Sequence, residues 1–212
     1  MLVPFGTGTC LGGGSPKRLV FGKERESVAK YYKFISKHRI FFENTSSFAD
    51  VALLISLPTA VWNFYPSFAY YKSDDYQKEV YGWARALERM HIDYDVLLLG
   101  MREILATNAS DMLAKYNLII APEVTHISDR DFTALLNYVE SGGRLIVTKK
   151  FGLYDDLGNK RDEDVRQKLL SSAGVTVIDN WIGLRFENAL ENKVINNAAL
   201  SKMRRIVKKL IR

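Results

Sequence analysis

The stretch that most restricts the fold runs from Tyr116 to Lys150, YNLIIAPEVTHISDRDFTALLNYVESGGRLIVTKK. Asn117-Leu-Ile-Ile-Ala121 is a short continuous apolar run, the pattern of a strand covered on both faces. Ser128 is placed to cap a helix, with Asp129 and Asp131 in a first turn whose dipole favours negative charge. Phe132, Leu135, Leu136 and Val139 then fall at i, i+3, i+4 and i+7, giving one apolar stripe. Gly142-Gly143 supplies a left-handed stop, and Leu145-Ile-Val-Thr148 reads as the next strand. Strand, covering helix and second buried strand make a parallel βαβ unit.

The flanking sequence extends that pattern. Residues 1–25 are glycine-rich and read as a flexible arm, residues 26–198 as an α/β domain with a leading helix, and residues 199–212 as a basic amphipathic helix. The leading helix spans Ser27 to about Phe42. Val51 to Leu57 is the first strand, ended by Pro58. An aromatic loop follows, then a helix from Asp75 to about Met90 with Val80, Trp83, Ala84 and Leu87 in register. Val96 to Leu99 is a strand closed by Gly100, and a short helix is expected near 110–115. Beyond Lys150 a polar loop turns at Asp156-Leu-Gly158-Asn159, before a helix from Val165 to Ala173 and a strand from Val175 to Ile178. Residues 179–197 are weakly patterned. Met203, Ile206, Val207 and Leu210 give the tail its apolar stripe. The order predicts a doubly wound, mostly parallel sheet flanked by helices. Ligands of such folds sit at the carboxyl ends of the strands, here Leu57-Pro58, Leu99-Gly100, Ala121-Pro-Glu123 and Thr148-Lys-Lys150.

The net charge of +6 suggests nucleic acid until it is localised. Six of the basic residues lie in SKMRRIVKKLIR, and without them basic and acidic residues balance at 24 each. The tail is therefore the element that would bind an anionic membrane or nucleic acid, but packing its stripe on the domain is the preferred reading and nucleic acid is not expected as a partner. No apolar run approaches the ~20 residues of a membrane span, and the N-terminus lacks a signal-peptide pattern, so a cytoplasmic location is expected. Cys10, alone, forms neither an internal disulfide nor a metal site. The arm fails both phosphate-loop templates: Leu11 stands where the dinucleotide fingerprint needs glycine, and no Gly-Lys-Ser/Thr follows Gly13. No cofactor and no metal are expected.

Two groups of residues carry what function the sequence offers. Glu123 and His126 on the turn after one strand, with Lys149 after the next, are the candidates for a general base, half a metal site or an anion contact. Their competing reading is a solvated rim. The second group is Trp62, Phe64, Tyr65, Phe68, Tyr70 and Tyr71, aromatic side chains crowded into a segment expected at the surface. Such clusters mark protein interfaces, internal packing or stacking on a ligand; Lys72 is the segment's sole basic residue, which disfavours nucleic acid.

YNLIIAP…SDRDFTALLNYVESGGRLIVT resembles the class I glutamine amidotransferase-like, flavodoxin-like fold. The glycines that would form that group's oxyanion turn are replaced by Pro122-Glu123-Val124, and Lys149 stands at the nucleophilic cysteine position, with Lys150 beside it. ADVALLISLPTAVW, YGWARALERMHIDYDVLLL, AKYNLIIAP…GGRLIVT and FGLYDDLGN are more similar to the trimerisation domain of glycoside hydrolase family 42 β-galactosidases. There a helix like YYKFISKHRIFFEN leads in from the catalytic barrel. The likeness covers about residues 27–180 and implies a non-catalytic assembly module, because the family's two catalytic glutamates belong to a barrel this chain is too short to contain. Self-association as trimer or dimer, or association with a glycoside hydrolase chain, is the implied partnership. The rival expectation is a small hydrolase or sugar-binding protein using Glu123, His126 and Lys149.

Overall fold

The computed structural model describes residues 25–43, 45–64, 75–100, 109–191 and 198–211. Contacts divide the chain into two units, residues 1–47 and 48–212. Among its described residues the first contains α1 (Arg25–Lys37) and a 3-10 turn, Arg39–Phe41. Phe34 packs its ring on His38 at 4.6 Å and on Phe42 at 6.3 Å, which folds the turn back along the helix.

The second unit is a five-stranded sheet of order β2-β1-β3-β4-β5, built from β1 (Val51–Ser56), β2 (Tyr94–Leu99), β3 (Leu118–Ala121), β4 (Arg144–Thr148) and β5 (Val175–Ile178). Every pairing is parallel, with Val51 opposite both Tyr94 and Leu118, Leu118 opposite Arg144, and Leu145 opposite Val175. The expected doubly wound, flavodoxin-like α/β architecture is therefore present.

Its helices are α2 (Leu57–Phe64), α3 (Asp75–Arg89), α4 (Ala109–Ala114), α5 (Asp129–Glu140), α6 (Glu163–Leu170), α7 (Ile182–Glu191) and α8 (Ala198–Ile211). Alternate strand residues sort the core into two layers. Ala52, Leu54, Ile119, Ala121, Leu145 and Val147 face Leu113 of α4, Phe132, Leu135 and Val139 of α5, and Leu169 of α6. Val51, Leu53, Leu118, Ile120 and Ile146 face Val80, Trp83 and Leu87 of α3, Ile182 and Phe186 of α7, and Leu200, Met203 and Val207 of α8. Because both faces are covered, the strands are continuous apolar runs rather than alternating ones.

The expected tail helix forms, and its stripe is spent on the core layer it shares with α3 and α7. Met203 and Val207 are fully buried, Ile206 and Leu210 pack beside them, and the Arg144 guanidinium donates to the Leu210 carbonyl. Two elements differ from expectation. Pro58 does not open a loop; it lies in the first turn of α2, where a missing N–H costs nothing. Residues 182–191 are helical although the local sequence is weakly patterned.

Helix α5 starts as its sequence specifies. The Ser128 hydroxyl accepts from the Asp131 N–H at 3.1 Å, and Gly142 takes φ 98° just past the other end. Ser128→Ala should lower the free energy of unfolding by about 1 kcal/mol, read as a shift of the urea midpoint with an unchanged slope. An unshifted midpoint would remove the cap from the account.

Candidate functional site

Two buried acids, Glu123 and Glu79, lie close to one another near the carboxyl end of β3. Glu123 follows β3 in the left-handed region at φ 48°, a conformation that turns its side chain back under the sheet end, and the residue is 1% exposed. Its Oε1 accepts from the Trp181 N–H at 3.0 Å. Trp181, itself at φ 59°, immediately precedes α7. Glu79, on the buried stripe of α3, sends Oε2 to the Leu184 N–H at 2.7 Å, while its Oε1 accepts from Trp83 Nε1 at 3.0 Å. Two carboxylates from distant elements thus meet the opening turn of one helix, where free N–H groups and the helix dipole attract negative charge.

That attraction does not cancel the cost of burial. Burial pushes the Glu123 carboxyl up from its ordinary 4.5 to about 7, against the lowering bond from Trp181; the nearby Glu79 charge adds to the rise, while Lys150 and the Thr148 hydroxyl oppose it. Glu79 is also raised, first by burial, with the α7 N–H groups, Trp83 and Arg185 pulling the other way. Glu123 Oε2 and Thr148 Oγ1 are both buried and neither makes a hydrogen bond of good geometry.

His126 faces different company. Its ring is stacked between Trp62, at 5.4 Å and 9°, and Tyr154, at 4.7 Å and 19°. Burial lowers its pKa, with Asp155 opposing. Its backbone N–H donates to Thr59 Oγ1 at 2.9 Å, and its carbonyl accepts from Ser56 Oγ at 2.6 Å and Thr59 Oγ1 at 2.9 Å, so the turn after β3 is tied to the end of β1. Lys149 points outward: its side chain is 71% exposed, with Nζ 3.8 Å from Asp179. Glu123, His126 and Lys149 therefore contact three separate sets of neighbours. Among the described residues, no group of three or more His, Cys, Asp or Glu is placed to hold a metal. A cavity of about 510 Å³ opens at the other end of the sheet, lined by Tyr116, Asn117, Tyr138 and Arg144 among others.

Of the aromatic candidates, Trp62 lies on α2, donates Nε1 to the Asp156 carbonyl at 3.2 Å and lays its ring against Gly158. It remains 42% exposed. Phe64 ends α2, its side chain outside the described set, and Tyr65, Phe68, Tyr70 and Tyr71 lie outside the described residues.

The loop that meets Trp62 is held by two arginines the sequence reading did not single out. Arg161 donates Nε to the Gly152 carbonyl at 3.1 Å and Nη2 to the Ile127 carbonyl at 2.6 Å, pairs with Asp129, and lies 4.4 Å over the Phe132 ring. Arg166 donates Nε to the Phe151 carbonyl at 2.8 Å, pairs with Glu163 at 2.6 Å, and also reaches the Lys149 carbonyl. Nothing local marked them, since both sit in the charged run RDEDVR. Glu79 did leave a trace: it falls three residues after Tyr76 and four before Trp83, an acid inside an apolar stripe.

Together these features define a flavodoxin-like α/β module in which the acid after β3 is buried against the start of α7. The chain belongs to the beta-galactosidase trimerisation domain family, whose model matches residues 49–207. Solved structures similar to it include Gan42B, a GH42 beta-galactosidase from G. stearothermophilus, with 23% identity, TM-score 0.49, and 67% of this chain against 20% of that one. A beta-galactosidase from Bacillus circulans sp. alkalophilus gives 18%, 0.48, 64% and 18%, and a GH42 exo-carrageenase from Bacteroides ovatus gives 13%, 0.41, 76% and 19%. The chain spans about one fifth of the length of these proteins. Comparison with curated proteins gave no match. No helix among the described residues is long and apolar enough to cross a membrane.

Proposed function

We propose that this chain is a non-catalytic module that assembles with copies of itself. The observation that carries the reading is the use of the strand-end acids. Glu123, the acid best placed for chemistry in a fold of this kind, is buried and spent on the Trp181 N–H, so the position that would face a substrate instead anchors α7. Membership of a trimerisation-domain family supports self-association as what remains for the exposed surface to do.

Light scattering after gel filtration tests this. The chain should elute as an oligomer at micromolar concentration, and Trp62→Ala should weaken association by tenfold or more, as loss of a large aromatic anchor does in an interface. A strict monomer at high micromolar concentration, unaltered by Trp62→Ala, would sink the proposal.

A further inference from the structure

Two surfaces at the carboxyl end of the sheet differ in kind. The first is apolar with an acidic border. Val61 is 51% exposed, Trp62 42% and Leu157 75%, and Trp62 touches Gly158, the neighbour of Leu157, so helix α2 and the loop after β4 present one patch. The segment from Asp155 to Asp164 carries five acids against Lys160 and Arg161. Arg161 is turned inward onto carbonyls and Asp129, and Arg166 pairs with Glu163, which still leaves four acids against Lys160 on the border. Asp155 is fixed as an anion by Asn159, whose side-chain and backbone N–H groups hold its pKa down together with the Leu157 N–H.

The second surface is basic. Asp179, just after β5, is shared by Lys149 and Lys202, and Arg185 adds to the positive field that lowers its pKa. Arg185 is held there by the Trp181 and Asn180 carbonyls. Lys150 is exposed next to Lys149. Three cations surround one acid, with Lys150 beside them.

We infer that a second copy of this chain is the partner of each surface: the Val61–Trp62–Leu157 patch with its acidic border docks on the Lys149–Lys150–Arg185–Lys202 cluster of the next copy, head to tail. The inference rests on the assembly reading above and adds its geometry. A contact between two unlike patches is heterologous, and a heterologous contact repeated by a closing rotation makes a ring, as a trimer requires. Three apolar side chains expose far less than the roughly 800 Å² per partner of a standard interface, so opposite charge must supply register and a further part of the contact.

The test is charge reversal, with each variant checked by circular dichroism and its mass measured by sedimentation at 0.1 M and 1 M salt. Asp156→Lys/Asp164→Lys gives a copy with two basic surfaces, and Lys149→Glu/Lys150→Glu a copy with two acidic ones. Each should lower association at least tenfold. The quadruple variant, with both signs exchanged in one chain, should associate again, and high salt should weaken the wild-type oligomer. An oligomer indifferent to both double variants overturns the head-to-tail docking and leaves the assembly reading standing. Loss of association in the quadruple variant also overturns it, and a monomeric wild type overturns both.

Discussion

Gly82→Ala should destabilise this protein by roughly 3 kcal/mol or more, at the upper end of what overpacking costs. A methyl group on Gly82 of α3 would lie 2.0 Å from the Gly183 carbonyl oxygen of α7, and one on Gly183 would lie 2.2 Å from the Glu79 carbonyl oxygen. Both obstacles are backbone, so no side-chain rotation relieves them, and the two helices must move apart. That movement would strain the Glu79–Leu184 hydrogen bond and loosen Trp83, Ile182 and Phe186. Alanine gains up to about 1 kcal/mol of helix propensity over glycine, so propensity and packing oppose each other, and packing wins. Against a total stability of roughly 5–15 kcal/mol the loss is large. Urea denaturation decides it: an equal or higher midpoint for Gly82→Ala would disprove the backbone-to-backbone crossing.

The second large effect depends on pH. Glu123 binds its proton more tightly in the folded chain, with a pKa near 7, than at its ordinary 4.5. A raised pKa contributes stability that is fully present below pH 4.5 and is lost as pH rises through 7. The shift is worth about 3 kcal/mol by linkage. Glu123→Gln keeps an oxygen for the Trp181 N–H and never ionises. Wild type and variant should therefore be close at pH 4.5, and the variant should become the more stable by about 2–3 kcal/mol at pH 8. Melting curves across that range provide the check, and a difference independent of pH would remove Glu123 as the group responsible. Glu79 is raised by the same burial and stays in both proteins, so its own contribution leaves the comparison largely intact.

These two sites also show where the sequence was informative. The β3–α5–β4 unit was legible because its signals are local: Ser128 caps, the stripe from Phe132 to Val139 faces the sheet, and Gly142 stops the helix. The parallel architecture followed from that unit and its neighbours. Helix α7 was not legible, for a physical reason. No Ser, Thr, Asp or Asn of its own provides the hydrogen bonds of its first turn; Glu79 does so from 105 residues away, and Glu123 from 58 residues away. Helix α2 was hidden because proline after a strand signals a stop as readily as a helix start. At the strand ends, Glu123, His126 and Lys149 could be named as polar residues on turns. Which way each points depends on left-handed backbone at Glu123 and on the Trp62–His126–Tyr154 stack, neither of which is encoded nearby.

The placement of β1 also governs how the chain is made. Val51 pairs with both Tyr94 and Leu118, so the earliest strand of this sheet in chain order sits at the sheet's interior and waits for its partners on either side. Non-local parallel pairing is slow, because loops must close before contacts repay them. Until β3 has been synthesised, Val-Ala-Leu-Leu-Ile-Ser keeps one edge open even after β2 has paired with the other, a species prone to aggregate during translation. Fusions or truncations that delay or remove residues 118–121 should therefore yield insoluble protein rather than a smaller soluble fold.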